Sequence, residues 1–167
     1  MKFLVTYFSV TGNTRKVAET IFHALPGEKE LKALGEVISL EGYDRVFIGF
    51  PVMQFGPPRE VRKFAQSLAG GKRVALFVTH AMATGTDDPV QRKMLETELG
   101  KCRDLFPDAV GFFHCKGELS VKTAGELTET GIPMLMEFAG MRPLTLGHPT
   151  TDELYQARIF ALSVVQS

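Results

Sequence analysis

The stretch FLVTYFSVTGNTRKVAETIFHAL, from Phe3 to Leu25, changes its period once, and that change decides the fold. Lys2 to Phe8 reads as a buried strand, apolar or β-branched at every position after its opening lysine. From about Asn13 to Leu25 the apolar residues fall at Val17, Ile21, Phe22 and Leu25, which is helical spacing. Between the two lie Ser9, Thr11, Gly12, Asn13 and Thr14, all small or polar. A strand that becomes a helix through such a turn is poised to hold a ligand.

Outward from this unit the pattern repeats. PGEK (26–29) breaks the first helix, and a weak second strand is expected within Leu31–Leu40, at EVISL (36–40). YDRVFIGFPV (43–52) is the clearest buried strand. PPREVRKFAQSL (57–68) follows as a helix, with a proline suited to its first turn and Val61, Phe64, Ala65 and Leu68 facing inward. KRVALFVTH (72–80) reads as a fourth strand, residues 89–106 as a third helix, and AVGFFHC (109–115) as a fifth strand. Residues 117–149 read as irregular, with one short helix near Gly125–Thr130. TTDELYQARIFALSVV (150–165) closes as a helix capped by Thr151, with Leu154, Ala157, Ile159, Ala161 and Val164 as its apolar surface. Five strands alternating with four main helices predict an α/β class fold, one domain over residues 1–167 with a doubly wound five-stranded parallel sheet and helices on both faces.

Composition sets the outer limits. A chain of 167 residues, 44% hydrophobic and 23% charged, suits one globular core. Nineteen basic residues balance nineteen acidic ones, which argues against a generic nucleic-acid surface. No stretch approaches the roughly 20 apolar residues of a membrane span, and the short apolar run at the N-terminus lacks a long h-region; a cytoplasmic protein without membrane insertion is expected. Cys102 and Cys115 are far from C-x-x-C spacing, and His23, His80, His114 and His148 form no ligand pattern, so no metal is expected.

Doubly wound sheets bind ligands beyond the carboxyl ends of their strands, which singles out three loops. In the first, Ser9–Thr14, backbone N–H groups and hydroxyls meet a helix N-terminus without a lysine, which suits a phosphate monoester. The turn equally fits an ordinary N-capping role. It is neither a Walker A loop nor G-x-G-x-x-G. In the second, Pro51, Val52, Met53, Gln54, Phe55 and Gly56 offer apolar side chains able to cover a flat ring or to pack on the following helix. Gly56 invites a backbone conformation that other residues avoid. In the third, Thr79, His80, Ala81, Met82 and Thr84 form a small, flexible loop whose backbone suits the polar edge of a heterocycle.

These stretches resemble the flavodoxin family. YFSVTGNTRKVAETI is similar to its phosphate loop and first helix, of the form [S/T]-x-T-G-x-T. GFPVMQFGPPREVRKFAQSL is similar to its third strand, flavin loop and following helix, VALFVTHAMATG lies where its third loop lies, and HPTTDELYQARIFALSV resembles its last helix. The resemblance implies a sheet order of 2-1-3-4-5 and bound FMN. Ser9, Thr11, Gly12, Asn13 and Thr14 would then cradle the phosphate, with residues 51–56 and 79–84 gripping the isoalloxazine. A flavin-binding electron-transfer protein with a partner protein is the function it implies.

Three features depart from the family's pattern. The chain has no tryptophan to flank the ring, and Tyr7, Tyr43 and Tyr155 lie outside the flavin loops, which leaves Met53, Phe55 or Met82 as substitutes. Its charge is balanced where electron-shuttling flavodoxins are strongly acidic. FFHC then places Cys115 near the ligand edge, where it is either a redox-active thiol or a small packing residue; His80 is either a donor to the flavin or a solvated loop residue. A nicotinamide-dependent flavin or quinone reductase, with 117–149 walling a cavity, is the alternative function. A module that has lost its flavin is the third.

Overall fold

The computed structural model describes residues 1–67, 73–82 and 88–167. The strands are β1 (Lys2–Tyr7), β2 (Glu28–Ala33), β3 (Arg45–Pro51), β4 (Arg73–His80) and β5 (Gly111–Lys116). They form one parallel sheet in the order β2-β1-β3-β4-β5. The helices are α1 (Asn13–Ala24), α2 (Arg59–Ser67), α3 (Pro89–Asp104), α4 (Val121–Glu129), α5 (Pro133–Gly140) and α6 (Thr151–Gln166). Leu68, expected at the end of the second helix, lies outside the described residues. None of the described helices is long and apolar enough to cross a membrane.

Alternation along the central strands builds two cores, because successive strand side chains leave on opposite faces. Leu4, Val46, Ile48, Phe50, Leu76 and Val78 pack with Val61 and Phe64 of α2 and Leu95 and Leu99 of α3. Phe3, Val5, Phe47, Ala75 and Phe77 pack on the other side with Val17, Ala18 and Ile21 of α1 and Ala157, Ala161 and Val164 of α6. Both faces are covered, so β3 is buried at every position but the last and reads as a continuous apolar run.

The structure corrects four expectations. The second strand is Glu28–Ala33, not EVISL: Leu34–Glu36 form a 3-10 turn and Ile38 is almost fully exposed. An edge strand pairs on one side only and here keeps no buried residue, so its sequence, EKELKA, lacks the apolar signal that sequence reading seeks. Residues 117–149 are not irregular but contain α4, α5 and a 3-10 turn at Arg142–Thr145. The cap of α6 is Thr150 instead of Thr151: its Oγ1 accepts from the Glu153 N–H while the Glu153 carboxylate accepts from the Thr150 N–H, a reciprocal capping box. Ile159 faces solvent at 44% exposure, and Phe160 packs inward in its place.

Candidate functional site

All three predicted loops leave the carboxyl edge of the sheet. β1 ends where the Phe8 N–H donates to the Gly49 carbonyl at 2.9 Å, and the chain then folds back on itself. Ser9 Oγ accepts from the Gly12 N–H at 3.2 Å and the Arg15 N–H at 3.4 Å, so the amides at the start of α1 converge on one point. Gly12 enables that convergence with φ of 96°, a value an L side chain resists. Arg15 turns away to Glu19 at 2.8 Å, which leaves the focus lined by neutral donors.

Thr14 and Asn13 do more structural work than the sequence discloses. The Thr14 and Thr79 hydroxyls hydrogen bond at 2.8 Å in full burial, tying the first turn of α1 to the end of β4. The Thr14 hydroxyl is therefore engaged by β4 and not by the Ser9 turn. Asn13 Nδ2 donates to the Glu118 carbonyl at 2.9 Å and to Thr11 Oγ1 at 3.3 Å. Gly117 lets the chain pass this close, since a Cβ there would sit 2.8 Å from Asn13 Nδ2. Glu118 and Gly117 were not legible as site residues. The one sequence signal was a glycine directly after the fifth strand.

The second loop is a tight turn. Met53 and Gly56 exchange backbone hydrogen bonds of 2.8 and 3.1 Å, and the two residues between them have positive φ, 49° at Gln54 and 61° at Phe55. The sequence pointed to Gly56 for an unusual conformation; Gly56 instead closes the turn, and the left-handed positions fall on two residues with side chains. Each costs roughly 1–2 kcal/mol relative to glycine. Met53 and Phe55 are each 39% exposed, apolar surface held at the ligand edge. Pro51 ends β3, and the Val52 N–H donates to the Thr79 carbonyl at 2.8 Å, which binds the second loop to the third.

In the third loop Thr79 and His80 end β4, Ala81 follows half-buried, and Met82 is packed into the core beside α3. Thr84 lies outside the described residues. His80 is not a solvated loop residue: it is buried, with Nε2 3.2 Å from His114 Nδ1. Burial first, then the neighbouring His114 and Lys116, push its pKa down to about 3, so the ring is neutral. Burial also lowers that of His114. Cys115 is buried against α6, and burial pushes its thiol up to about 12, the opposite of what a reactive thiolate needs. Among the described residues no group of three or more His, Cys, Asp or Glu could hold a metal ion.

The donor set fits FMN at both ends. A neutral, amide-rich focus at a helix N-terminus suits a phosphate monoester. Exposed Met53 and Phe55 suit a ring face.

Comparison with known proteins agrees with this fold. The flavodoxin-like domain-containing protein BilS of Clostridioides difficile is 27% identical over 175 residues, covering 99% of this chain and 97% of BilS. Two solved structures share the fold. A flavodoxin from the domain Archaea has a TM-score of 0.57 at 17% identity, over 99% of this chain and 97% of that one. Oxidised flavodoxin 2 from Bacillus cereus has a TM-score of 0.56 at 16% identity, over 99% of each chain. The flavodoxin domain family matches residues 4–161, nearly the whole chain, and with the sheet order and the three loops in place the protein belongs to that family.

Proposed function

We propose that this chain binds FMN across its three carboxyl-end loops and works as an electron-transfer protein for a redox partner protein. The observation that supports this most is the Ser9–Thr14 turn, where amides and hydroxyls converge without a cation. In this reading the Gly12, Thr14 and Arg15 N–H groups and the Ser9 and Thr11 hydroxyls bind the phosphate. Asn13 braces the turn from the β5 side. The second loop lays Met53 and Phe55 against the ring, and the third supplies backbone groups to its polar edge. Bound FMN would supply one- and two-electron chemistry. The protein's part is to hold the ring between apolar side chains with an edge toward solvent, where a partner can approach. His80, being neutral, can donate or accept a hydrogen bond there without adding charge.

One observation favours the second reading, a nicotinamide-dependent flavin or quinone reductase. The segment leading into α4 and α5 starts at the ligand edge, where the Gly117 N–H donates to the His80 carbonyl and the Glu118 carbonyl accepts from Asn13. A helical hairpin rooted there is suited to wall a substrate cavity.

An absorption spectrum decides between them. Protein mixed with FMN and passed through a desalting column should keep the flavin bands, and under anaerobic conditions these should persist with NADH or NADPH and bleach with dithionite. Rapid bleaching by a pyridine nucleotide alone would make the protein a reductase. Failure to retain flavin from excess FMN would refute the cofactor.

A further inference from the structure

The tip of the second loop is held by a side chain from outside the three loops. Lys101 extends from α3, its stem passes Gly56, and its Nζ donates to the Phe55 carbonyl at 2.9 Å; a Cβ on Gly56 would touch Lys101 Cδ at 3.8 Å. Behind it stands Glu98, one turn earlier on α3. The Glu98 side chain is only 6% exposed, and its two oxygens lie 3.1 and 3.3 Å from the same Nζ. A carboxylate buried against the ammonium in this way limits the directions in which the cation can point. The carbonyl that Lys101 grips belongs to the second of two consecutive left-handed residues, neither of them glycine. Such a conformation persists only where its surroundings over-determine it.

We propose that Lys101 and Glu98 are positioning residues for the flavin loop: the pair fixes the Met53–Gly56 turn in its left-handed form before any ligand arrives. The inference rests on the FMN reading for its purpose but not for its geometry. Ligand-ready geometry in the free protein saves the ordering cost at the moment of binding, so losing the clamp weakens affinity without removing any group that touches FMN.

Removing Lys101 alone would leave Glu98 as an unpaired buried charge and unsettle α3, so the test variant is Lys101→Met with Glu98→Gln. Two measurements are made on the full chain. Without FMN, NMR backbone couplings at Gln54 and Phe55 report φ; the wild type should show left-handed values, and the double variant should lose them. With FMN, fluorescence titration should give an affinity about tenfold weaker in the double variant, equivalent to about 1.4 kcal/mol. Adding Gln54→Gly, which tolerates positive φ without help, should recover most of that loss. Couplings unchanged in the double variant would overturn the clamp, as would an affinity that Gln54→Gly does not recover. A wild type that binds no FMN would refute the cofactor reading instead, and the couplings would still judge the clamp.

Discussion

At the scale of single residues, Gly49 and Phe77 make a close contact within the sheet. Gly49 sits in mid-β3, paired beside Phe77 of β4, and the Phe77 ring fills the place where a side chain would stand. A Cβ on Gly49 would lie 1.9 Å from Phe77 Cε2, and the ring is fully buried. Gly49→Ala should therefore destabilise by about 1–3 kcal/mol through overpacking, and thermal unfolding should show a Tm lower by about 2–12 °C. Shrinking the ring with Phe77→Leu on top of Gly49→Ala should cost less than the two single effects summed; full additivity would show that the two sites do not share this space. None of this was legible in RVFIGFP, where Gly49 is simply one weak position in an apolar run. The first loop was legible as a polar turn between a strand and a helix, though Ser, Thr, Gly and Asn suit an anion site and an ordinary helix cap alike. The bond between Thr14 and Thr79 was not, since 65 residues separate its ends and only the sheet brings them together.

At the scale of elements, the buried strands announced themselves and the segment after β5 did not. Helix reading relies on an apolar stripe facing a core, and α4 buries none of its residues. Glycines at 125, 131 and 140 and Pro133 reinforced the impression of irregular chain. What makes the hairpin is polar. Ser120 caps α4 by accepting from the Thr123 N–H at 3.1 Å, and Pro133 takes the first turn of α5. Arg142 then clamps the far end to the near end, donating to the Leu119 carbonyl at 2.9 Å and pairing with Glu118 at 3.2 Å. Arg142→Ala should release the hairpin as a local unit while the sheet stays folded. Hydrogen exchange should show amides in Val121–Gly140 speeding by about tenfold or more, as expected for losing charged hydrogen bonds, with protection in β3 and β4 unchanged. Equal acceleration in the sheet would mean that the hairpin is part of one global unit. The weak second strand was misplaced for a related reason: its residues are chosen for the edge, where charge is favoured over burial.

At the scale of the whole molecule, acid should be the effective denaturant. His80 is neutral when folded, with a pKa of about 3 set by burial, against roughly 6.5 for an unfolded histidine. Below about pH 6.5 the unfolded chain binds a proton at this site that the native protein refuses, so stability falls as pH falls and levels off only near pH 3. His114 is shifted the same way. Glu153 adds to the slope at the acid end: burial alone would raise it, but hydrogen bonds from the Thr150 N–H, His148 and the Lys116 N–H outweigh that and hold it low. Urea unfolding at pH 7 and pH 5 should differ by about 2 kcal/mol in the wild type, and His80→Asn should shrink that difference; an identical slope in the variant would show that His80 does not titrate as its burial demands. The balanced charge bears on the sheet's open side as well. Along β2, Lys2 of the neighbouring strand reaches Glu28 and Glu30 at 2.9 Å each, and Lys32 pairs with Glu30. A molecule with no net charge has little long-range repulsion to keep its copies apart in concentrated solution. The comb of alternating charges on this edge opposes strand addition at short range: a second sheet adding there would have to strip water from ionised groups, so the strand least visible in the sequence also shields its own edge.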